Sequence, residues 1–214
     1  MTPFPVILSS PSGGGKTTIA RRLLAARSDI GYSVSATTRL QRAGEVEGKD
    51  YYYLNKDDFE RRRAADEFAE SAVVHGRMYG TLRSEVLRVL GTGLNVIMDI
   101  DVQGARQFSA AFPDSVLIFL LPPSAAVLAE RLEGRRTEGP AAMRVRLQGA
   151  REELQAATDY HYVIVNDDLD RATARVAAVI DAETARRHRV PGLDERVHEL
   201  VQGLDQALRE YPSA

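Results

Sequence analysis

The 214-residue sequence contains no cysteine, which excludes disulfide bridges, thiolate nucleophiles and cysteine-based zinc sites together. It has no apolar run of the roughly 18 residues that a membrane-spanning helix requires. The first residues, Met1 to Ser9, lack the basic segment and long apolar core of a secretory signal. The formal net charge is −2, so no global basic field attracts nucleic acid or an anionic membrane. We therefore expect a cytoplasmic protein with no nucleic-acid and no membrane partner.

Lysine is scarce. The chain has only Lys16, Lys49 and Lys56, and every other Lys or Arg position is arginine. A lysine at a position where a reaction would need one is therefore stronger evidence of function than it would be in a lysine-rich chain. Hydrophobic residues make up 44% of the chain and charged residues 27%, which is ordinary for a globular protein. The length suits one domain or a compact domain with insertions.

Short apolar runs alternate with helical patterns along the chain. Four runs predict buried strands, at Pro5–Leu8, Asn95–Ile100, Val116–Leu121 and Tyr162–Val165. Helices are predicted at Thr18–Arg27, Arg83–Leu90, Ser124–Leu132 and Asp170–Arg187. This alternation predicts an α/β fold in which helices flank a parallel sheet.

Three stretches depart from that alternation. The polar segment Ser33–Arg83 resembles an inserted subdomain, and Arg131–Arg151, dense in Arg and Glu, resembles a mobile helical excursion. The tail, Pro191–Ala214, places apolar residues at helical spacing, which predicts a helix packed on the core, with a dimer contact as the alternative. The predicted division is core at 1–34, 84–130 and 157–190, insert at 35–83, excursion at 131–156 and helical extension at 191–214.

The segment from Ser10 to Thr17 reads S-P-S-G-G-G-K-T, follows an apolar strand and opens a helix, the context of a phosphate loop. Glycines let backbone N–H groups turn toward phosphates, and the helix N-terminus adds positive potential. Lys16 can reach the β- and γ-phosphates, and the Thr17 hydroxyl can hold Mg²⁺. The predicted ATP contacts in this segment are Ser12, Gly13, Gly14, Gly15, Lys16, Thr17 and Thr18. The alternative is a glycine-rich turn with a solvated lysine.

One residue of this loop departs from the usual pattern. Ser10 stands where the first glycine is common. Serine is small, but a left-handed backbone at this position would be strained.

The next segment offers groups for a second phosphate. Arg39 and Arg42 lie three residues apart and close to tyrosines in the sequence, and guanidinium groups bind phosphate bidentately. Asp99 ends an apolar strand, as an acidic residue near nucleotide-bound Mg²⁺ often does. A helix cap or another structural role is the alternative for Asp99.

Several linked motifs in this order resemble the guanylate kinase family, from about Val6 to Ala185. They are the phosphate loop, the segment Ser33–Arg39, the Arg42–Glu45 and Gly48–Tyr51 stretches, the Tyr79-Gly80-Thr81 turn, the Asp99–Gly104 strand end and the Val165–Asp168 run. The resemblance implies that Mg²⁺-bound ATP phosphorylates GMP, giving ADP and GDP. It also implies a lid, at 131–156, that closes over the phosphates.

The resemblance assigns roles residue by residue. The GMP phosphate would be held by Arg39, Arg42, Tyr51 and Tyr79, and the guanine would be read by Ser35, Glu70, Thr81 and Asp101. The catalytic groups would be Lys16, Arg39, Arg135 and Arg146, with Arg131 and Asn166 as further ATP contacts and Thr17 and Asp99 near the metal. Carboxylates can accept from guanine N1–H and N2–H₂, and hydroxyls can donate to O6, so adenine would leave these groups unpaired.

Two alternatives remain at this point. A related kinase on the same scaffold would phosphorylate a sugar such as a ribose bisphosphate, although it need not keep the guanine-reading set. A guanylate-kinase-like module would bind proteins without catalysis, although such modules typically degrade the phosphate loop or the lid. The acceptor preference between GMP and dGMP, and the choice between monomer and homodimer, stay open.

Overall fold

The structure, a computed structural model, describes residues 2–74, 76–133 and 140–211. Its first half contains β1 (Pro5–Ser9), α1 (Lys16–Ala26), β2 (Ile30–Tyr32), β3 (Ala36–Thr37), β4 (Tyr52–Tyr53), α2 (Lys56–Ala64), β5 (Phe68–Val74), β6 (Arg77–Leu82) and α3 (Arg83–Leu90). Its second half contains β7 (Asn95–Asp99), α4 (Val102–Ala111), β8 (Val116–Leu121), α5 (Ala125–Glu133), α6 (Pro140–Gln155), β9 (Tyr162–Val165), α7 (Leu169–Thr184) and α8 (Leu193–Glu210).

A five-stranded parallel sheet, in the order β2-β7-β1-β8-β9, forms the centre of the molecule. All five residues of β1 are buried. Val6 and Leu8 pack with residues of α1 and α7 on one face, while Ile7 packs with residues of α3 and α4 on the other. A strand covered on both faces has no polar side, which is why it reads as an uninterrupted apolar run. The predicted α/β class is confirmed.

The four predicted strands form four of the five strands of this sheet, and β2 was missed. This edge strand has only three residues and pairs with β7 alone. Its central residue is Gly31, where an added Cβ would lie 2.4 Å from Cγ1 of Val89. The close approach of α3 therefore requires glycine, and glycine weakens the sequence signal of a strand.

A smaller mixed sheet, in the order β4-β3-β6-β5, lies within Ser33–Arg83, the segment predicted to be an inserted subdomain. Helix α2 covers it, because the rings of Phe59 and Phe68 stack with their centroids 4.4 Å apart. The side chain of Asn55 caps α2 by accepting the Asp58 N–H at 2.7 Å. This sheet has its own apolar cluster, which includes Ala36 and Leu82.

The ends of three of the four predicted helices differ from the sequence prediction, and for α5 the difference is one residue at each end. Helix α1 begins two residues earlier than predicted, at Lys16, and ends at Ala26. Helix α7 begins at Leu169, capped by the Asp168 carboxylate, which accepts the Arg171 N–H at 2.8 Å. The sequence pattern shows the buried face of a helix but not the cap geometry that ends it.

The prediction that the tail helix packs on the core is wrong. Helix α8 forms, but none of its residues is buried. Leu200, Leu204 and Leu208 are 62%, 64% and 66% exposed. Helical spacing of apolar residues shows that a helix has an apolar face, but it does not show which surface covers that face. None of the helices in the described residues is both long and apolar enough to cross a membrane.

Candidate functional site

The phosphate loop joins β1 to α1 and is shaped by glycines. Gly13 and Gly15 have φ angles of 82° and 93°, values that side chains other than glycine rarely tolerate. Ser10 is fully buried, and it is not among the positive-φ residues, of which Asp66 is the one non-glycine in the described chain. The substitution of serine at this position therefore introduces no left-handed strain.

Ser10 instead determines which residue fits at position 14. A Cβ added to Gly14 would lie 2.5 Å from both Cβ and Oγ of Ser10. The Ser10 hydroxyl donates to the Pro11 carbonyl at 3.0 Å, and the Gly14 N–H donates to the same oxygen at 2.8 Å. The serine side chain thus occupies the inside of the turn and requires glycine opposite it.

Asn166 contacts the phosphate loop through its side chain. It follows β9, is 3% exposed, and donates from Nδ2 to the Gly14 carbonyl at 2.8 Å. The main-chain carbonyl of Asn166 accepts a hydrogen bond from Nη2 of Arg131 at 3.4 Å. The side chain of Asn166 therefore contacts the loop backbone, while a contact with the adenine of ATP stays a prediction.

A carboxylate that the sequence analysis did not single out also reaches the loop. Oε2 of Glu153, on α6, accepts the Ser12 N–H at 3.1 Å. The same side chain lines a cavity of about 300 Å³ with Gly13, Lys16 and Thr17. Burial raises the pKa of Glu153, while the Ser12 hydrogen bond and the charge of Lys16 partly offset that shift. No sequence motif signals this contact, because the two residues are 141 positions apart.

Thr17 and Asp99 meet at the start of α1 and the end of β7. The Thr17 hydroxyl donates to Oδ2 of Asp99 at 2.5 Å. Two oxygen ligands beside a phosphate loop suit Mg²⁺, which prefers oxygen and takes few ligands from the protein when it binds with a nucleotide. Within the described residues no group of three or more His, Cys, Asp or Glu side chains could hold a metal by itself.

A second and larger cavity, of about 570 Å³, extends from Thr17 and Asp99 into the small sheet. Its lining includes five of the predicted acceptor-site residues, Ser35, Tyr51, Glu70, Tyr79 and Asp101. The fold thus brings residues that are far apart in the sequence to one cavity, which begins at the phosphate loop.

Glu70 is the most perturbed carboxylate of this cavity. It is 8% exposed and accepts the Thr81 hydroxyl at 2.7 Å. Burial raises the pKa of Glu70 to about 7, and the nearby charge of Asp101 adds to the shift. The Thr81 hydroxyl thus donates to Glu70 in this structure, while its contact with guanine O6 stays a prediction. Asp101 also caps α4, accepting the Gly104 N–H at 2.7 Å.

Arg39 lies beside the cavity in a network of tyrosines and one carboxylate. Its two terminal nitrogens donate to Glu45 at 3.0 and 2.7 Å, and its guanidinium carbon lies 5.2 Å from the centroid of the Tyr51 ring. Tyr51 in turn meets Tyr79 edge-on at 6.1 Å. Hydrogen bonds from Arg39, from the Tyr53 hydroxyl and from a backbone N–H lower the pKa of Glu45 to about 2. Glu45 is therefore ionised and holds Arg39 in place.

The remaining predicted arginines are less closely grouped. The side chain of Arg42 is exposed, although its N–H donates to Glu45 at 2.8 Å. Arg146, on α6, donates to the Leu132 carbonyl at 3.4 Å. Arg135 lies outside the described residues.

The parallel sheet, the phosphate loop and the adjoining cavity define a phosphate-loop nucleotide kinase. The sequence model of the family described as guanylate kinase matches residues 2–183. A guanylate kinase of Rhizobium meliloti is 46% identical over 197 residues, covering 92% of this chain and 90% of the relative. One of Symbiobacterium thermophilum is 49% identical over 181 residues, covering 85% and 86%.

The fold comparison agrees with the sequence comparison. The crystal structure of guanylate kinase from Anaplasma phagocytophilum superposes with a TM-score of 0.72 at 35% identity, covering 91% of this chain and 93% of that one. The chain belongs to the guanylate kinase family of ATP-dependent nucleoside monophosphate kinases.

Proposed function

We propose that this protein transfers the γ-phosphoryl group of ATP directly to the phosphate of GMP, forming ADP and GDP. The observation that carries the proposal is the 570 Å³ cavity that starts at Thr17 and Asp99 and ends among Glu70, Tyr79 and Asp101. A donor phosphate on the loop and an acceptor phosphate in the cavity would face each other there. For phosphoryl transfer the protein has mainly to align the reacting groups and to neutralise the phosphate charge.

ATP is assigned to the phosphate loop. The N–H groups of residues 12–18 and the start of α1 would surround its phosphates, and Lys16 would neutralise charge on the migrating group. Arg131 and Asn166 would add further ATP contacts, since Asn166 already lies against the loop and Arg131 against Asn166. Mg²⁺ held by Thr17 and Asp99 would neutralise phosphate charge when it binds with ATP.

GMP is assigned to the small sheet, which makes residues 35–83 the GMP-binding insert. Arg39, oriented by Glu45, would hold the GMP phosphate together with Arg42 and the hydroxyls of Tyr51 and Tyr79. Ionised Glu70 and Asp101 would accept from guanine N1–H and N2–H₂, while Ser35 and Thr81 would donate to O6. Adenine would leave two carboxylates unpaired in a buried cavity, which is the costly outcome that gives selectivity.

The region 131–156 is assigned to a lid. Arg135 and Arg146 would close over the transferred phosphoryl group and exclude water, which would otherwise accept the phosphate. Arginines in this role contribute about 10³–10⁵ in rate. The other units of the proposed division are the core at 1–34, 84–130 and 157–190 and the extension at 191–214. The same acceptor site would take dGMP, because no assigned group contacts the 2′-hydroxyl.

The proposal is tested by measuring ADP release with ATP and Mg²⁺ while GMP, AMP and ribose 1,5-bisphosphate are offered in separate assays. We expect turnover with GMP alone and its loss in Lys16→Ala, while Lys56→Ala, an exposed lysine on α2, keeps it. Turnover with the sugar but not with GMP would reject the acceptor assignment. No turnover with any acceptor would favour a binding module.

A further inference from the structure

Helix α8 presents an apolar stripe that the rest of the described chain leaves uncovered from Val197 onward. The stripe consists of Leu193, Val197, Leu200, Leu204 and Ala207 of α8 and of Tyr211 directly after it, spaced alternately by four and three positions. Four of them, Val197, Leu200, Leu204 and Tyr211, are 49%, 62%, 64% and 78% exposed. The 4-3 spacing is the heptad pattern of a helix that packs against another helix. Val201 and Leu208 widen the stripe on one side.

The helix needs a covering surface for its own stability. Its 18 residues extend about 27 Å, and an isolated helix of this length is marginal in water, because most helical stability comes from packing an apolar face. The base from which α8 starts is firmly attached, since Arg189 is buried, lies 3.9 Å from the Phe4 ring centroid and contacts Glu183. A helix held at one end and bare along its apolar face is suited to a partner helix.

We propose that α8 pairs antiparallel with α8 of a second copy of this chain, so that the protein forms a two-fold symmetric dimer. The charged residues beside the stripe favour the antiparallel orientation. When Leu200 of one helix is placed opposite Leu204 of the other, Arg196 of each copy faces Glu210 of its partner copy. Both ion pairs form because the two-fold axis repeats every contact. In a parallel pair each Arg196 would instead lie beside an apolar Val201.

The antiparallel register also brings small residues to the two-fold axis. Gly203 of one copy faces Gly203 of the other, on the same flank as the Arg196–Glu210 pairs. No atom lies within 4 Å of a Cβ added at Gly203, so the helix backbone is open to close approach there. Ala207, a small member of the stripe, lies opposite Val197, which keeps the two helices close along that flank.

An anionic lipid surface fits this helix less well than a second copy does. The helix carries five carboxylates and two arginine side chains, so its charge opposes binding to acidic headgroups. A copy of the same helix, in contrast, offers an apolar stripe of equal length and the complementary charges. Such a short helix pair is a small interface, for which we expect a dissociation constant of about 1–100 µM.

The dimer is tested by sedimentation velocity of the full chain across the micromolar range. We expect a monomer–dimer equilibrium that Leu204→Asp weakens by at least about 100-fold, because it places a charge in the stripe. Kinase turnover of this variant should match the wild type and thereby report an intact fold. A wild-type protein that stays monomeric throughout, or that dimerises equally well with Leu204→Asp, would overturn the proposal.

Charge exchange tests the orientation. Arg196→Glu and Glu210→Arg should each weaken the dimer about tenfold, because each replaces two attractive pairs by two repulsive ones, and the double exchange should restore it. Arg209→Glu, on the outward face, is the matched control and should have little effect. Single exchanges without effect, or a double variant as weak as the singles, would overturn the antiparallel register.

A crosslink gives an independent measure of the register. Because the chain has no cysteine, Gly203→Cys introduces a unique thiol next to the two-fold axis, whereas Arg209→Cys introduces one far from it. A short bis-maleimide should link the first variant into dimers and leave the second monomeric. Equal crosslinking of the two variants would overturn the register, and recovery of a monomeric wild type on phosphatidylglycerol vesicles would show that lipid is the partner.

Discussion

The carboxylate of Glu153 on α6 accepts the backbone N–H of Ser12 in the phosphate loop, with 3.1 Å between the two atoms. The contact joins the proposed lid to the loop that would bind ATP, and it places a negative charge in the cavity that contains Lys16. ATP phosphates entering this cavity would meet that charge. The contact therefore relates the position of α6 to the affinity for the nucleotide.

We predict that Glu153→Gln lowers the KM for ATP by about three- to tenfold, because it removes a negative charge beside the phosphates while the amide oxygen still accepts the Ser12 N–H. The KM for GMP should stay unchanged. Steady-state kinetics measure both constants, with Glu152→Gln, an exposed neighbour on the same helix, as the control. A higher KM for ATP would mean that the charge is needed to position the loop.

We predict that GMP binding weakens about tenfold between pH 8 and pH 6, because the pKa of Glu70 is about 7 and only its ionised form accepts from guanine. Calorimetric titration measures the affinity. The phosphate of GMP titrates near pH 6 as well, so Glu70→Gln is titrated in the same buffers. The variant should bind more weakly and keep only the small phosphate-dependent slope. An equally steep slope in the variant would contradict the role of Glu70.

The same group should affect the stability of the nucleotide-free protein. Its folded pKa is raised above the usual 4.5, so the protonated form is favoured by folding, and this contribution is lost as the pH rises through about 7. Glu70→Gln should therefore raise the melting temperature more at pH 8 than at pH 5, and the increase at pH 8 should be about 5 °C. Thermal unfolding at the two pH values measures the difference, and an equal change at both would contradict the assignment.

We predict that Glu45→Gln raises the KM for GMP about tenfold, since it leaves Arg39 without its bidentate partner and so without a fixed orientation beside the cavity. The KM for ATP should change little. Glu47→Gln serves as the control, because Glu47 is exposed and contacts the Tyr53 N–H instead. A GMP affinity that improves would show that Glu45 competes with the phosphate for Arg39.

We predict that Asp99→Asn raises the Mg²⁺ concentration for half-maximal activity several-fold, because it removes the negative charge beside Thr17 while preserving the shape of the side chain. Activity measured across a Mg²⁺ series at fixed ATP gives the value. Asp181→Asn, on an exposed helix face paired with Arg27, should show no shift. An unchanged Mg²⁺ requirement for Asp99→Asn would restrict this residue to orienting Thr17.

The sequence by itself determined the α/β class, four strands of the main sheet and the family, because uninterrupted apolar runs and a loop with Lys16 and Thr17 are local signals. It placed Arg39, Glu70 and Asp101 in one acceptor site through motif order, and the fold brings Glu70 and Asp101 to one cavity, with Arg39 beside it over Tyr51. The shortest strand of the main sheet, β2, was not predicted, because its three residues around Gly31 carry no periodic pattern.

Only the tertiary structure decided what each polar group contacts. Glu153 meets Ser12 across 141 positions, and Thr81 donates to Glu70, because chain folding and not spacing sets these distances. The pKa of Glu70 depends on burial, which no sequence motif specifies. The sequence also determined that α8 has an apolar stripe, but only the arrangement of all other elements left that stripe uncovered, since periodicity defines a face and tertiary packing determines what lies against it.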